Sequence, residues 1–135
     1  MNNLFAAVMT KCAGSDLSSA VGGRIYESEA PAGAEYPYVV FSVIAGAPED
    51  NFTDAIDELV VQFSIYSISE SSSEIAAIYQ YLKNLFDYGA LTISGYSHIG
   101  MIRQSMTTMI DDVTTTAGTG SLRHWAVDYL VRTEI

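Results

Sequence analysis

Hydrophobic and polar positions alternate along this chain in two rhythms, and the switches between them mark its elements. Leu4, Phe5, Val8, Met9 and Cys12 recur at three- and four-residue spacing, behind Asn2 and Asn3 that can cap a helix and ahead of Gly14 that can end one. The spacing predicts a first helix with one buried stripe. Ser15 and Asp16 offer a cap for a short helical turn through Leu17 and Val21, which Gly22 and Gly23 break before a short strand at Arg24, Ile25 and Tyr26. Residues 27–35, with Pro31, Gly33 and three glutamates, read as a solvated connection.

Period two then takes over. In residues 36–44, Val39, Phe41 and Val43 fall on one face of a strand, with Tyr38, Val40, Ser42 and Ile44 on the other. A polar, acidic interval at 45–57 separates this strand from a second one at 58–67. There Leu59, Val61, Phe63 and Ile65 oppose Glu58, Val60, Gln62, Ser64 and Tyr66. Ser71-Ser72-Ser73-Glu74 has the spacing of a capping box, in which a serine and a glutamate exchange bonds with each other's backbone. Ile75, Ile78, Tyr79, Leu82, Leu85 and Phe86 follow at helical spacing, and Gly89 is the expected stop. Burial of such side chains contributes about 1.5–3 kcal/mol each before entropy is subtracted, so this helix is expected to lie on a sheet.

Leu91, Thr92 and Ile93 suggest a brief extended piece, and residues 96–110 a long strand in which Gly100 marks a bulge or a close approach of backbones. Residues 111–120, with their threonines and Gly118 and Gly120, read as a flexible connection. The last strand, 122–132, sets Trp125, Val127, Tyr129 and Val131 against His124, Ala126, Asp128, Leu130 and Arg132. The order helix, short strand, strand, strand, helix, strand, strand predicts one α+β domain over residues 1–135. Its expected core is an antiparallel sheet with about two helices packed on one face.

Composition narrows the function. With 135 residues, 49% of them hydrophobic and 16% charged, the chain has material for one core and is no disordered tail. Sixteen acidic residues against six basic ones give a formal net charge of -10, which repels phosphate polyanions and anionic headgroups. Apolar runs fall far short of the roughly 20 residues that a membrane-crossing helix needs. The opening Met1-Asn2-Asn3-Leu4-Phe5 lacks a basic n-region, so synthesis and retention in the cytoplasm of the producing cell is expected. Cys12 is the one cysteine, which excludes an intrachain disulfide and suits core packing on an apolar stripe.

A catalytic constellation is not evident. His98 and His124 each sit in a predicted strand without ligands at metal-binding spacing, and neither Gly22-Gly23-Arg24 nor Gly118-Thr119-Gly120 completes a phosphate-binding motif. Asp111-Asp112, Glu49-Asp50 and the Asp50, Asp54, Glu58 series lack calcium-loop order and read as solvated acid. No catalytic residue, metal or cofactor is therefore expected. The unusual feature is apolar side chains on both faces of the same strands. Tyr38, Val40 and Ile44 oppose the presumed core face, as do Val60 and Tyr66, and either a terminal helix or loop or a second subunit must cover them. In the 45–57 interval Phe52 and Ile56 are apolar residues in polar surroundings, which suits a segment that orders against a neighbour. The candidate interface is thus Glu49, Asp50, Asn51, Phe52, Asp54 and Ile56, with Tyr38, Val40 and Tyr66.

A wider pattern joins these pieces. An N-terminal helix leads to Gly23-Arg24-Ile25-Tyr26, Ala30-Pro31 and Tyr36-Pro37-Tyr38-Val39-Val40-Phe41. Asp57-Glu58-Leu59-Val60-Val61-Gln62-Phe63-Ser64-Ile65-Tyr66-Ser67, the helix at 73–86 and a C-terminal strand with Trp125 follow. In this order and spacing, over nearly the whole chain, the sequence resembles the tail completion or tail terminator proteins of long-tailed bacteriophages. The resemblance implies an α+β fold in a structural virion protein at the head-proximal end of the tail. It also implies a hexameric ring that caps the tail tube, stops its growth and offers a docking face to the head-completion or connector protein. DNA would pass through the lumen unbound, and an acidic wall would favour weak grip. A head–tail connector subunit is the alternative within virion assembly. A small ligand-binding domain or enzyme is the alternative outside it, with Tyr96, His98 and Arg103 as its polar candidates.

Overall fold

The computed structural model describes residues 2–45, 56–68, 72–87, 97–115 and 118–134. In chain order its elements are α1 (Asn2–Cys12), α2 (Asp16–Ala20), β1 (Ile25–Glu27), β2 (Tyr38–Ala45), β3 (Ile56–Ser67), α3 (Ser73–Phe86), β4 (Ser97–Thr115) and β5 (Gly118–Glu134). Among the described residues the strands form one sheet in the order β1-β2-β3-β5-β4. The pairings β2–β3, β3–β5 and β5–β4 are antiparallel as expected, whereas β1 runs parallel to β2, which makes the sheet mixed. The α+β class holds, with three helices among the described residues, the short α2 being the helical turn expected after Ser15.

Each helix reflects its local chemistry. The α1 stripe is Ala7, Val8 and Cys12, all buried, while Met9 is 41% exposed. Phe5, Val8 and Cys12 of the expected stripe face the core, with Ala7 buried where Met9 was expected. Gly14 adopts φ +70, a left-handed conformation that stops the helix at little steric cost. In α2 the Ser15 side chain accepts a bond from the Ser18 N–H at 3.2 Å, the expected cap. At β1, the Arg24 Nε donates to the Pro37 carbonyl at 3.0 Å and its guanidinium pairs with Glu35 at 3.8 Å, drawing the start of β2 against β1.

Ser71, the capping serine of the expected box at the start of α3, lies outside the described residues. Ser72 is the capping residue and makes no side-chain cap bond, and Glu74 instead accepts from the Ser67 Oγ at 2.6 Å. Ser67 is buried at the end of β3, so its hydroxyl needs a partner, and a charge-assisted bond to a carboxylate outcompetes a local backbone contact. The helix ends at Phe86, with the Asp87 N–H bonded to the Lys83 carbonyl at 2.8 Å. The expected stop at Gly89 and the extended piece at 91–93 lie outside the described residues.

The core lies between the helices and one face of the sheet. Val39, Phe41, Val61, Phe63, Ile65, Val127, Tyr129 and Val131 meet Ile75, Ile78, Leu82 and Phe86 of α3, together with Val8, Cys12, Leu17 and Val21. Phe63 sits at its centre, with ring centroids 4.7 Å from Phe86, 5.7 Å from Tyr129 and 6.1 Å from Phe41. Burial pushes the Cys12 thiol up to about 12, against a smaller pull from Lys11. Iodoacetamide at pH 8 is accordingly expected to leave Cys12 unmodified in the folded chain and to alkylate it in urea, as intact-mass spectrometry would show.

At the other end of the sheet, residues 111–115 and 118–120 of the expected connection are strand, and 116–117 lie outside the described residues. The strand β4 continues to Thr115, and β5 begins at Gly118 with Asp111 opposite Leu122 and Thr115 opposite Gly118. The β-branched run Val113, Thr114 and Thr115 favours extended pairing, and this outweighs the glycines on the facing strand. A register shift between His98 and Gly100 fulfils the bulge expected at Gly100, and a second shift lies between Arg103 and Ser105.

Candidate interaction surface

Three helices lie on the core face, where α1 packs its Phe5 ring 5.8 Å from Phe41. Among the described residues no helix lies on the opposite face, which removes the expected alternative that α1 folds over it. Register then brings outward side chains from different strands into transverse rows. Tyr38 of β2 stands opposite Tyr66 of β3, and Tyr66 opposite His124 of β5. Their rings stack at 4.9 and 4.3 Å, and Tyr26 and Tyr36 extend the row at 5.9 and 5.2 Å from Tyr38. Met109 of β4 stands opposite His124 and continues it toward the far edge.

The tyrosines of this row are uncharged. Burial, and secondarily the neighbouring Tyr36 and Tyr66, push the Tyr38 phenol up to about 12, and burial likewise raises Tyr66. Both phenols stay protonated at any physiological pH. The next row holds Val40, Ser64, Ala126 and Thr107. A polar row follows, in which the Gln62 Nε2 donates to the Asp128 carboxylate at 3.0 Å and the Ser105 Oγ donates to its other oxygen at 3.1 Å. Beyond it Val60 faces Leu130 and Leu130 faces Ile102, which is 45% exposed.

Tyr38, Val40 and Tyr66, expected at an interface, are thus brought together on one face. Ile56 opens β3 and is not part of a loop, while Glu49, Asp50, Asn51, Phe52 and Asp54 lie outside the described residues. Sequence reading missed Tyr26, His124 and Met109 as members of the same row. Their outward parity was readable, but cross-strand neighbours depend on register, which no single strand encodes.

On the helix side Arg103 donates to the Tyr79 hydroxyl and lies 3.4 Å from Asp87, which also accepts from the Tyr129 hydroxyl. Burial, and then the Asp87 carboxylate, raise the Tyr129 phenol far above its ordinary value. Arg103 therefore fastens β4 to the end of α3 and is no free polar group lining a pocket. Tyr96 lies outside the described residues. A cavity of 180 Å³ between α2 and α3 is lined by Ser15, Asp16, Leu17, Tyr81, Asn84 and Leu85. It is smaller than the roughly 300–1,000 Å³ of typical ligand sites. No group of three His, Cys, Asp or Glu able to hold a metal ion occurs among the described residues, and no described helix is long and apolar enough to cross a membrane.

Comparison with solved structures gives the same architecture. A chain described as "Virion of native gene transfer agent (GTA) particle" matches with a TM-score of 0.65 and 18% identity, covering 96% of this chain and 93% of that one. A second solved chain matches with a TM-score of 0.56 and 14% identity, covering 96% and 94%. No curated protein sequence matches. At such identities these likenesses speak for the fold alone. The sequence itself matches the family described as Tail completion protein gp17 over residues 4–134, nearly its full length. With its fold, its helix-free sheet face and this match in hand, the chain belongs to the gp17 tail completion family, structural proteins of the phage virion tail.

Proposed function

We propose that the protein caps the phage tail tube as a closed ring, ending tube growth and presenting the surface to which the head-completion or connector protein docks. The observation that carries this reading is the sheet face without a helix, with its row of Tyr26, Tyr38, Tyr66 and His124. An aromatic strip of this extent on a chain of net charge -10 suits burial against another protein. A ring joins two different patches of neighbouring copies and closes without exposing either, so six copies would bury the strip at every junction. The same charge suits a conduit, because a wall poor in cations releases few counterions and holds the duplex weakly. The 45–57 interval, with Glu49, Asp50, Asn51, Phe52, Asp54 and Ile56, is the proposed segment that contacts the tube or the next subunit.

Electron microscopy of tails made without this protein tests the reading. Tubes of irregular or excessive length that remain unjoined to heads are expected. Tubes of normal length on intact particles would reject it, and tubes of normal length that stay unjoined would move the protein to the connector side.

A further inference from the structure

The sheet has two edges among the described residues, and they are unlike. β1 spans three residues, Ile25–Glu27, and ends where Ser28 takes a positive φ of 68, so it can offer only a short ladder. β4 spans Ser97–Thr115, and its outer backbone edge faces no described strand. Natural edges are blunted by bulges, charges or proline. The first part of β4 is protected in this way, by register shifts at His98/Gly100 and Arg103/Ser105 and by the charge of Arg103. From Met106 to Thr115 the register runs without a shift. Residues 104–110, Gln-Ser-Met-Thr-Thr-Met-Ile, carry no charge, proline or glycine. An uncharged run of this length on an open edge is the pattern that templates further strand pairing. Its side chains are also unburied, with Met106 and Met109 each 37% exposed and Ile110 60%.

We propose that the free chain forms a two-fold pair through this edge, with residues 106–110 of one copy antiparallel to those of a second about Thr108. Three observations select a second copy as the occupant. Antiparallel pairing about Thr108 is self-complementary: Met106 meets Ile110 on the helix side, where their β5 partners are Val127 and Arg123, and Thr107 meets Met109 on the open side. The paired stretch 106–110 is neutral, so two copies that each carry a net charge of -10 meet along residues without charge. The remaining described edge, β1, is too short to complement it. A cyclic ring contains only head-to-tail contacts, so this pair lies outside the proposed ring and is a separate state of the free chain.

The test is sedimentation velocity of the full chain across a wide concentration range, combined with cysteine crosslinking. Opposed residues of an antiparallel pair have Cβ atoms about 4.5–5.5 Å apart, near the range that a disulfide spans. The wild type is expected to show a concentration-dependent dimer. Thr108→Cys should give a covalent dimer under mild oxidation, Glu27→Cys should not, and buried Cys12 should stay silent. Met106→Lys with Ile110→Lys should remain folded by circular dichroism and sediment as a monomer. A wild type that is monomeric throughout would overturn the proposal, as would a dimer that survives both lysines. Hexamers in which Thr108→Cys crosslinks no better than Glu27→Cys would overturn it too, while leaving the ring reading intact.

Discussion

Replacing Phe63 by alanine is expected to cost about 3–5 kcal/mol, a large share of the roughly 5–15 kcal/mol by which domains of this kind are stable. The reason is geometric. Phe63 is fully buried in the central strand β3, and its ring contacts Phe86 of α3, Tyr129 of β5 and Phe41 of β2. Those neighbours belong to three separate elements that cannot all close inward on the gap, so a cavity persists. Urea unfolding followed by tryptophan fluorescence should show the midpoint falling sharply with little change in slope. A loss below about 1 kcal/mol would mean that the site collapses, and that α3 is less firmly seated than its packing indicates.

The second large effect is expected on the opposite face. Val40→Asp introduces a carboxylate between Ser64 and the tyrosine row without touching the core. The isolated chain should keep its circular dichroism and nearly all of its stability. In particles, a lost interface contact of about 2 kcal/mol or more corresponds to association weakened on the order of 30-fold, so heads and tails should accumulate unjoined. Complementation of a phage lacking the gene reads this directly. Full rescue by Val40→Asp would show that the face is not an assembly surface.

Much of the fold was legible because strands with one buried face repeat with period two. Val39 and Phe41, then Val61, Phe63 and Ile65, then Val127, Tyr129 and Val131 all point inward as their alternation required. Helix α3 followed from its apolar spacing. Other features depended on partners distant in sequence. Glu74 had the spacing of a local cap, yet Ser67 claims it from the end of the preceding strand. Residues 111–120 had the glycines and threonines of a loop, yet two such stretches facing each other complete a ladder. The parallel seat of β1 depends on Arg24 reaching the carbonyl of Pro37, a contact no periodicity announces. For the interaction surface, Tyr38, Val40 and Tyr66 could be found from parity, while Tyr26 and His124 joined them only through register.

Asp128 gives the open face an address. Its carboxylate is fixed by donors from β3 and β4 in a polar row that divides the face, with aromatic rings toward one end and Val60, Leu130 and Ile102 toward the other. A partner displaced along the strands by one row would press hydrocarbon onto that anion and strip its water without compensation. Sliding is thereby penalised, and only an occupant that brings a donor or a gap to this position can seat fully. An acid held between an aromatic row and an aliphatic one can thus set alignment as well as attraction.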